Sequence, residues 1–198
     1  QFALGLIDFE DIRIRKGINK AFHYYYLAAN LNNLNALITL GVIYSDGKYI
    51  KRDIEKGIFY FKLASEHKCL QAYFNLAMIY ETDTFNKKDI KKAIYYYTLA
   101  ANQNNANAQF QLGYIYANGE KDIRDINKSI YYYTLAANQN DAYAQNQLGY
   151  IYANGDKDIL DINKSIYYFS LAADQNYQKA QFALGLIDFE DIRIRKGI

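Results

Sequence analysis

A leucine recurs at intervals of 36 residues along the whole of this 198-residue chain. The series has no insertion or deletion, and its members are Leu4, Leu40, Leu76, Leu112, Leu148 and Leu184. An alanine series keeps the same interval at Ala36, Ala72, Ala108, Ala144 and Ala180. A fixed period of this length is typical of repeat proteins, in which each unit packs against its neighbours because it cannot bury its apolar face alone. The chain is therefore predicted to fold as one continuous tandem array over residues 1–198.

Each unit contains two helical patterns, for which residues 108–143 are representative. The first pattern is a stripe of apolar residues at helical spacing, formed by Ala108, Leu112, Ile115 and Tyr116. Gly113 lies inside this predicted helix, where glycine is unfavourable, so another helix is expected to pack against its bare backbone. Gly119 is expected to end the helix by adopting a positive φ.

The second pattern begins after Asp125, whose side-chain oxygen can cap the free N–H groups of the next turn. The same phase is occupied by Asp53, Asp89 and Asp161. The residues predicted to share the apolar face are Ile126, Ile130, Tyr133 and Ala137. Second helices also carry runs of three aromatic residues, at 95–97, 131–133 and 167–169. One ring of each run is expected to enter the core, and the others to lie between neighbouring second helices or on the convex surface.

These motifs follow one another in a fixed order: Leu112-Gly113, Tyr116, Gly119, Asp125, Lys128-Ser129, Tyr133 and Ala136-Ala137. The next copy reads Leu148-Gly149, Tyr152, Gly155, Asp161, Lys164-Ser165, Phe169 and Ala172-Ala173. This order resembles the Sel-one-like repeat, a relative of the tetratricopeptide repeat, and the longer period supports it, since tetratricopeptide units have about 34 residues. The first copy departs from the family pattern, with Asp8 and Asp11 in place of Tyr and Gly, and Gly17 in place of the capping Asp.

The resemblance implies an all-α fold, a right-handed α/α superhelical solenoid of five 36-residue helix–loop–helix repeats plus one extra first helix. First helices are expected near residues 1–10, 36–45, 72–81, 108–118, 144–154 and 180–190. Second helices are expected near residues 18–30, 54–66, 89–102, 125–138 and 161–174.

The resemblance also implies that the first helices line a concave face that binds a partner. Projecting the related tetratricopeptide groove onto matching positions gives four candidates in each of three repeats. They are Gln71, Phe74, Met78 and Glu81; Asn107, Phe110, Tyr114 and Asn118; and Tyr143, Asn146, Tyr150 and Asn154. This mixture of aromatic and amide side chains suits an extended peptide or another protein surface, although ordinary surface residues are an equally acceptable interpretation.

Composition argues against several other functions. The formal net charge is +2, from 23 basic and 21 acidic residues, so no nucleic-acid partner is expected. No apolar run is long enough to span a membrane. Cys69 is the only cysteine, which excludes an intramolecular disulfide and the disulfide-stapled members of the family. His23 and His67 lack further ligands at metal-binding spacing, and no catalytic or cofactor-binding motif is present. The chain is predicted not to be an enzyme and to need no cofactor.

A longer period lies above the 36-residue repeat, because residues 1–18 and 181–198 are identical at a distance of 180 residues. Natural duplication of a five-repeat block, engineering, or the periodic unit of a fibre would each explain this. Neither end shows a distinct polar cap, so the chain is expected to be a fragment of a longer array or to stack on further copies of itself end to end. The predicted function is a structural scaffold in a filament or extended assembly. The alternative is an adaptor that binds a partner in the concave groove. The compartment is left open, since a signal peptide cannot be assessed on a fragment.

Overall fold

The structure, a computed structural model, describes the backbone of residues 12–82 and 88–196 and the side chains of residues 17–82 and 88–188. Within these ranges it contains ten α-helices and no strand. The helices are α1 (Ile12–Ala29), α2 (Leu34–Asp46), α3 (Ile54–Glu66), α4 (Leu70–Glu81), α5 (Ile90–Ala101), α6 (Ala106–Asn118), α7 (Ile126–Ala137), α8 (Ala142–Asn154), α9 (Ile162–Asp174) and α10 (Gln178–Lys196). The fold is all-α, of the α/α solenoid class. The first helix predicted near residues 1–10 lies outside the described residues.

The helices belong to two compact units, one ending at Ala100 and the other beginning at Ala101. In the first unit α2 packs against α3, and α3 packs against α4. In the second unit α6 packs against α7, α7 against α8, and α8 against α9. Sequence neighbours are thus spatial neighbours within each unit, as expected for stacked helical pairs.

The first helices begin two residues earlier than predicted, because the last residue of the preceding turn is their N-cap. Asn33, Asn105 and Asp141 each accept a hydrogen bond from the backbone N–H three residues ahead, with N···O distances of 3.0, 2.8 and 2.8 Å. This satisfies one of the free N–H groups in the first turn of the helix. Cys69 stands in the same position before α4 and makes no side-chain cap bond.

The aspartate caps predicted for the second helices are confirmed. Asp53, Asp89, Asp125 and Asp161 each accept a hydrogen bond from the backbone N–H of the lysine three residues ahead, at 3.0–3.1 Å. The pKa of the Asp125 carboxyl is lowered, chiefly because the backbone N–H of Lys128 donates a hydrogen bond to it. The Lys128 ammonium pairs with the same carboxylate at 3.2 Å and lies 5.2 Å from the centre of the Tyr116 ring. These exposed contacts fix the start of the helix and contribute little further stability.

The prediction that the glycine after the first helix has a positive φ is right at Gly47 and wrong at Gly119 and Gly155. Gly47 has φ +72°, whereas Gly119 and Gly155 have φ −65° and −68°. At Gly119 and Gly155 a glycine is needed because a side chain would not fit. A Cβ on Gly119 would lie 2.6 Å from the carbonyl oxygen of Ile115, so no larger residue fits without a shift of the backbone.

The predicted close approach at the glycines inside the first helices is confirmed. A Cβ on Gly113 would lie 2.5 Å from the ring of Tyr133 on α7, and one on Gly149 would lie 2.6 Å from the ring of Phe169 on α9. The hydroxyl of Ser129 donates to the carbonyl oxygen of Gly113 at 2.8 Å and holds the two backbones together. In each aromatic run the third ring is the one that enters the core, and the first ring is exposed.

α1 and α10 are longer than predicted. α1 begins at Ile12 instead of near residue 18, and α10 continues to Lys196 instead of ending near residue 190. The sequence explains both differences. Asp191 stands where other repeats have the glycine that ends the first helix, and Gly17 stands where they have the capping aspartate. Without these signals nothing in the local sequence interrupts the helix.

A left-handed residue follows each second helix in the turns that the structure describes. It is asparagine at four positions and lysine at one, with φ between 56° and 65°: Asn32, Lys68, Asn104, Asn140 and Asn176. Asparagine tolerates this conformation better than residues with longer side chains. The sequence interpretation placed a turn in this stretch without assigning it a left-handed residue.

Replacing Lys68 with asparagine is expected to raise the free energy of unfolding by about 0.5–1 kcal/mol, because Lys68 holds a φ of +56° that a lysine adopts at a cost. Chemical denaturation of the two proteins measures the difference. Lys68→Ala is the matched control, since it removes the long side chain but keeps an unfavourable residue type, and it should not stabilise the protein. Equal stability of Lys68→Asn and Lys68→Ala would contradict the assignment.

Candidate protein-binding surface

The candidate residues lie on three first helices. Four are on α4 in the first unit, and eight are on α6 and α8 in the second unit. Their spacing of three to four residues places them along one side of each helix. Eight of the twelve side chains are exposed: Gln71, Met78, Asn107, Tyr114, Asn118, Tyr143, Tyr150 and Asn154. These eight are available for contact with a partner.

The other four candidates are partly or fully buried. Phe74 and Phe110 pack against the buried rings of Tyr97 and Tyr133, each with ring centroids 5.6 Å apart. Glu81 accepts a hydrogen bond from the Tyr97 hydroxyl at 2.7 Å. Asn146 takes the place of Phe110 in the next repeat, is 4% exposed, and its Oδ1 has no hydrogen-bond partner in the described part of the chain. Because they are buried to this extent, these four side chains offer less area for contact with a partner than the eight exposed ones.

The two exposed tyrosines of α8 are each packed against neighbouring rings. Tyr143 makes edge contacts with Phe110 and Tyr177, with centroids 6.2 and 5.1 Å apart. Tyr150 makes an edge contact with Phe169 at 5.0 Å. Each ring therefore presents one side to solvent while the other side is packed, which limits the conformational freedom that binding would remove.

A glutamine pair connects consecutive repeats in the second unit. Gln139 donates its side-chain N–H to Oε1 of Gln109 at 2.7 Å, and Gln175 makes the same bond to Gln145. Gln145 in turn donates to the carbonyl oxygen of Ala137 at 3.2 Å. Gln109 and Gln145 are buried on the first helices, so these bonds fix the spacing between helices that carry the exposed tyrosines. Sequence reasoning missed them, although the glutamines recur at the 36-residue interval.

A groove of about 980 Å³ lies beside the C-terminal end of α8, between the loop after α6 and the loop after α8. Asn118, Tyr150 and Asn154 from the candidate set line it, and so does the Tyr133 side chain. Lys121 and Arg124 line it from the loop after α6, and Asp156 lines it from the loop after α8. The groove therefore combines an aromatic wall with amides and an excess of one positive charge.

Other chemistry-bearing residues are dispersed. His23 and His67 are exposed, and Cys69 is a half-buried free thiol. In the ranges 17–82 and 88–188, no three His, Cys, Asp or Glu side chains are grouped so that they could hold a metal ion. None of the described helices is long and apolar enough to cross a lipid bilayer.

Paired helices at a constant interval, packed through glycine–aromatic contacts and capped at the same positions, define an α/α repeat protein of the solenoid class. The chain belongs to the Sel1 repeat family, whose model matches residues 1–33, 35–69, 70–105, 106–141 and 142–177. Proteins built from Sel1 repeats are generally non-catalytic scaffolds for protein interaction. The expected resemblance and the α/α solenoid class are thereby confirmed.

Two solved structures illustrate the similarity. A Sel1 repeat protein from Oxalobacter formigenes is 34% identical over 85% of this chain and 69% of its own, with a TM-score of 0.69. The protein c5321, a protective antigen of uropathogenic Escherichia coli with the same fold, is 25% identical over 87% of this chain, with a TM-score of 0.75. This chain spans 37% of that antigen's length. No curated protein is similar in sequence at a significant level.

Proposed function

We propose that this chain is a non-enzymatic scaffold that binds another protein through the exposed residues of α6 and α8. The observation that carries the proposal is the set of exposed tyrosines and asparagines on these two helices, of which Asn118, Tyr150 and Asn154 line the groove. Tyrosine supplies a large contact area with a polar hydroxyl and few rotatable bonds, which suits a binding surface. The exposed candidates of α4, Gln71 and Met78, supply an amide and a thioether on the first unit.

Binding is assigned to the exposed tyrosines of the first helices and not to every exposed tyrosine of the chain. Tyr114 and Tyr150 on the first helices are 46% and 40% exposed, and Tyr131 and Tyr167 on the second helices are 59% and 57% exposed. Among the described residues, the ring contacts of the second pair are with the adjacent Tyr132 and Tyr168, and neither member lines the groove, whereas Tyr150 of the first pair does. The chain therefore contains its own matched control for the loss of two exposed rings.

The double variant Tyr114→Ala/Tyr150→Ala is expected to bind its partner at least about tenfold more weakly, because alanine substitution of aromatic anchors commonly costs that much. Partners captured from a lysate of native host cells by the wild type are quantified again with this variant and with Tyr131→Ala/Tyr167→Ala. Circular dichroism checks that both variants keep their helical content. The proposal fails if the two variants retain the same partners equally, or if only the control loses them.

A second candidate is a structural role in an extended array built from copies of the same block. It is favoured by one observation, the identity of residues 1–18 and 181–198 at a distance of five repeats. Head-to-tail contacts that do not close into a ring generate filaments. Negative-stain electron microscopy at increasing protein concentration should then show particles that lengthen. Uniform short particles at all concentrations would remove this candidate.

A further inference from the structure

One repeat of the first unit shows how a carboxylate is held against the buried aromatic residue of a second helix. Tyr97 on α5 is fully buried, and its hydroxyl donates to Oε2 of Glu81 at the end of α4, at 2.7 Å. Hydrogen bonds to an ionised acceptor are stronger than neutral ones, so Glu81 satisfies this buried donor well.

The following repeat keeps the tyrosine and lacks the carboxylate. Tyr133 occupies the position of Tyr97 and is 1% exposed, but the counterpart of Glu81 is Ala117. The Tyr133 hydroxyl is buried and has no hydrogen-bond partner in the described part of the chain. A buried donor without an acceptor is unfavourable and rare in folded proteins, which points to a missing ligand. The repeat after that has Phe169 opposite Ala153, so it has no hydroxyl to satisfy.

The Tyr133 side chain lines the groove beside α8, and the charges around it favour an anion. Lys121 and Arg124 line the same groove and form no ion pair with any residue that the structure describes. Asp156 is the acidic residue that lines it. Burial raises the pKa of Tyr133, so the hydroxyl stays protonated at neutral pH and is available as a donor.

Access to the hydroxyl depends on a neighbouring side chain. Less than 1 Å² of the hydroxyl oxygen is exposed, so a ligand reaches it only after a neighbour moves. Gln147 lies close to this oxygen without hydrogen-bond geometry, lines the groove, and is half-buried. Rotation of this long, half-buried amide side chain would open the path.

We propose that this groove binds an acidic side chain of the partner protein, whose carboxylate accepts the Tyr133 hydroxyl bond as Glu81 accepts that of Tyr97, while Lys121 and Arg124 supply the opposite charge. The inference deepens the proposed function, because it names the partner chemistry recognised at the surface formed by α6 and α8. The favoured ligand is a glutamate side chain, because Glu81 accepts the equivalent tyrosine hydrogen bond within this chain.

The first test places the carboxylate within the chain. Ala117→Glu is expected to satisfy the Tyr133 hydroxyl and raise the melting temperature above that of Ala117→Gln. Ala153→Glu against Ala153→Gln is the matched pair, since it puts the same change at the same helical position opposite Phe169. A gain that is confined to position 117 and disappears in the Tyr133→Phe background supports the proposal. Equal effects at both positions, or none at either, overturn it.

The second test measures binding with a defined probe. Blocked acetyl-Gly-Glu-Gly-amide is titrated into the isotope-labelled protein, and chemical shifts are followed for residues of the groove. Saturable binding in the range of about 1–10 mM is expected, with about tenfold weaker binding to Tyr133→Phe and none to Ala117→Glu. Phe169 shows that the fold accepts phenylalanine at this position.

Controls separate the possible sources of the anion. Equal binding of blocked Gly-Gln-Gly overturns recognition of a carboxylate, and tighter binding of acetyl-Gly-Gly-Gly with a free carboxyl terminus overturns the assignment to a side chain. Absence of binding by the glutamate peptide, or unchanged binding to Tyr133→Phe, overturns the inference. If the peptide experiments overturn the inference but partner capture still depends on Tyr114 and Tyr150, the proposed function stands and only the recognition of a carboxylate is lost.

Discussion

Replacing Leu112 with alanine is expected to lower the free energy of unfolding by about 2–5 kcal/mol, the usual cost of a cavity at a buried leucine. Leu112 is 0% exposed and belongs to the leucine series that defines the 36-residue period. The loss arises from the removed apolar contacts and from the space that the surrounding helices cannot fill. Urea denaturation followed by circular dichroism measures it.

The control for this truncation is Leu160→Ala, at a leucine that is 56% exposed in the loop before α9. It should change the free energy of unfolding by less than about 0.5 kcal/mol, as is usual for surface positions. If the two alanine variants cost the same, the leucine series does not form the core, and the stripe assigned to the first helices is misplaced.

The second large effect is expected at the glycines inside the first helices. Gly113→Ala should destabilise the protein by about 1–3 kcal/mol through overpacking, although alanine is the better helix former by about 1 kcal/mol. The new methyl group would lie 2.5 Å from the ring of Tyr133, which is buried and cannot swing away. Thermal or urea denaturation gives the difference from the wild type.

Gly185 provides a matched position, since it occupies the same phase of the repeat in α10 and a Cβ there would meet nothing within 4 Å. Gly185→Ala should therefore stabilise the protein by up to about 1 kcal/mol, from helix propensity alone. Opposite signs at the two glycines are the expected result. Stabilisation at both would show that the α6–α7 contact is looser than the structure has it.

The features that the sequence predicted well depend on local chemistry repeated at a fixed interval. Asp125 is an N-cap because its short carboxylate reaches the backbone N–H of Lys128, and this requires only neighbouring residues. Gly113 marked a close approach because glycine inside a helix is costly without a packing reason. The core assignment of Leu112 followed from helical spacing and is confirmed by its complete burial.

The features that sequence reasoning missed depend on contacts between distant residues or on backbone detail. The bond between Gln109 and Gln139 joins residues 30 apart, and neither residue signals the other locally. Gly119 is required for space and not for a positive φ, which the residue type alone does not distinguish. The left-handed Asn140 could have been found, since asparagine is the residue that best tolerates this conformation after glycine.

The candidate surface was predictable in outline and not in detail. Helical spacing identified the exposed Tyr114 and Tyr150, but it also selected Phe110, which is half-buried, and Asn146, which is buried. Phe110 packs against the ring of Tyr133 on the second helix, a contact that helical spacing alone does not reveal. The groove was not predicted, and the sequence shows Ala117 at the position of Glu81 without showing that the Tyr133 hydroxyl is buried and has no acceptor among the described residues.

Site-specific photo-crosslinking tests the central claim, binding through the first helices of the second unit, most directly. A photoreactive phenylalanine analogue is introduced separately at Tyr114, Tyr150, Tyr131 and Tyr167, and each protein is irradiated in the presence of the captured partner. Partner adducts are expected at Tyr114 and Tyr150, and none at Tyr131 and Tyr167. Adducts confined to Tyr131 and Tyr167 would contradict the claim.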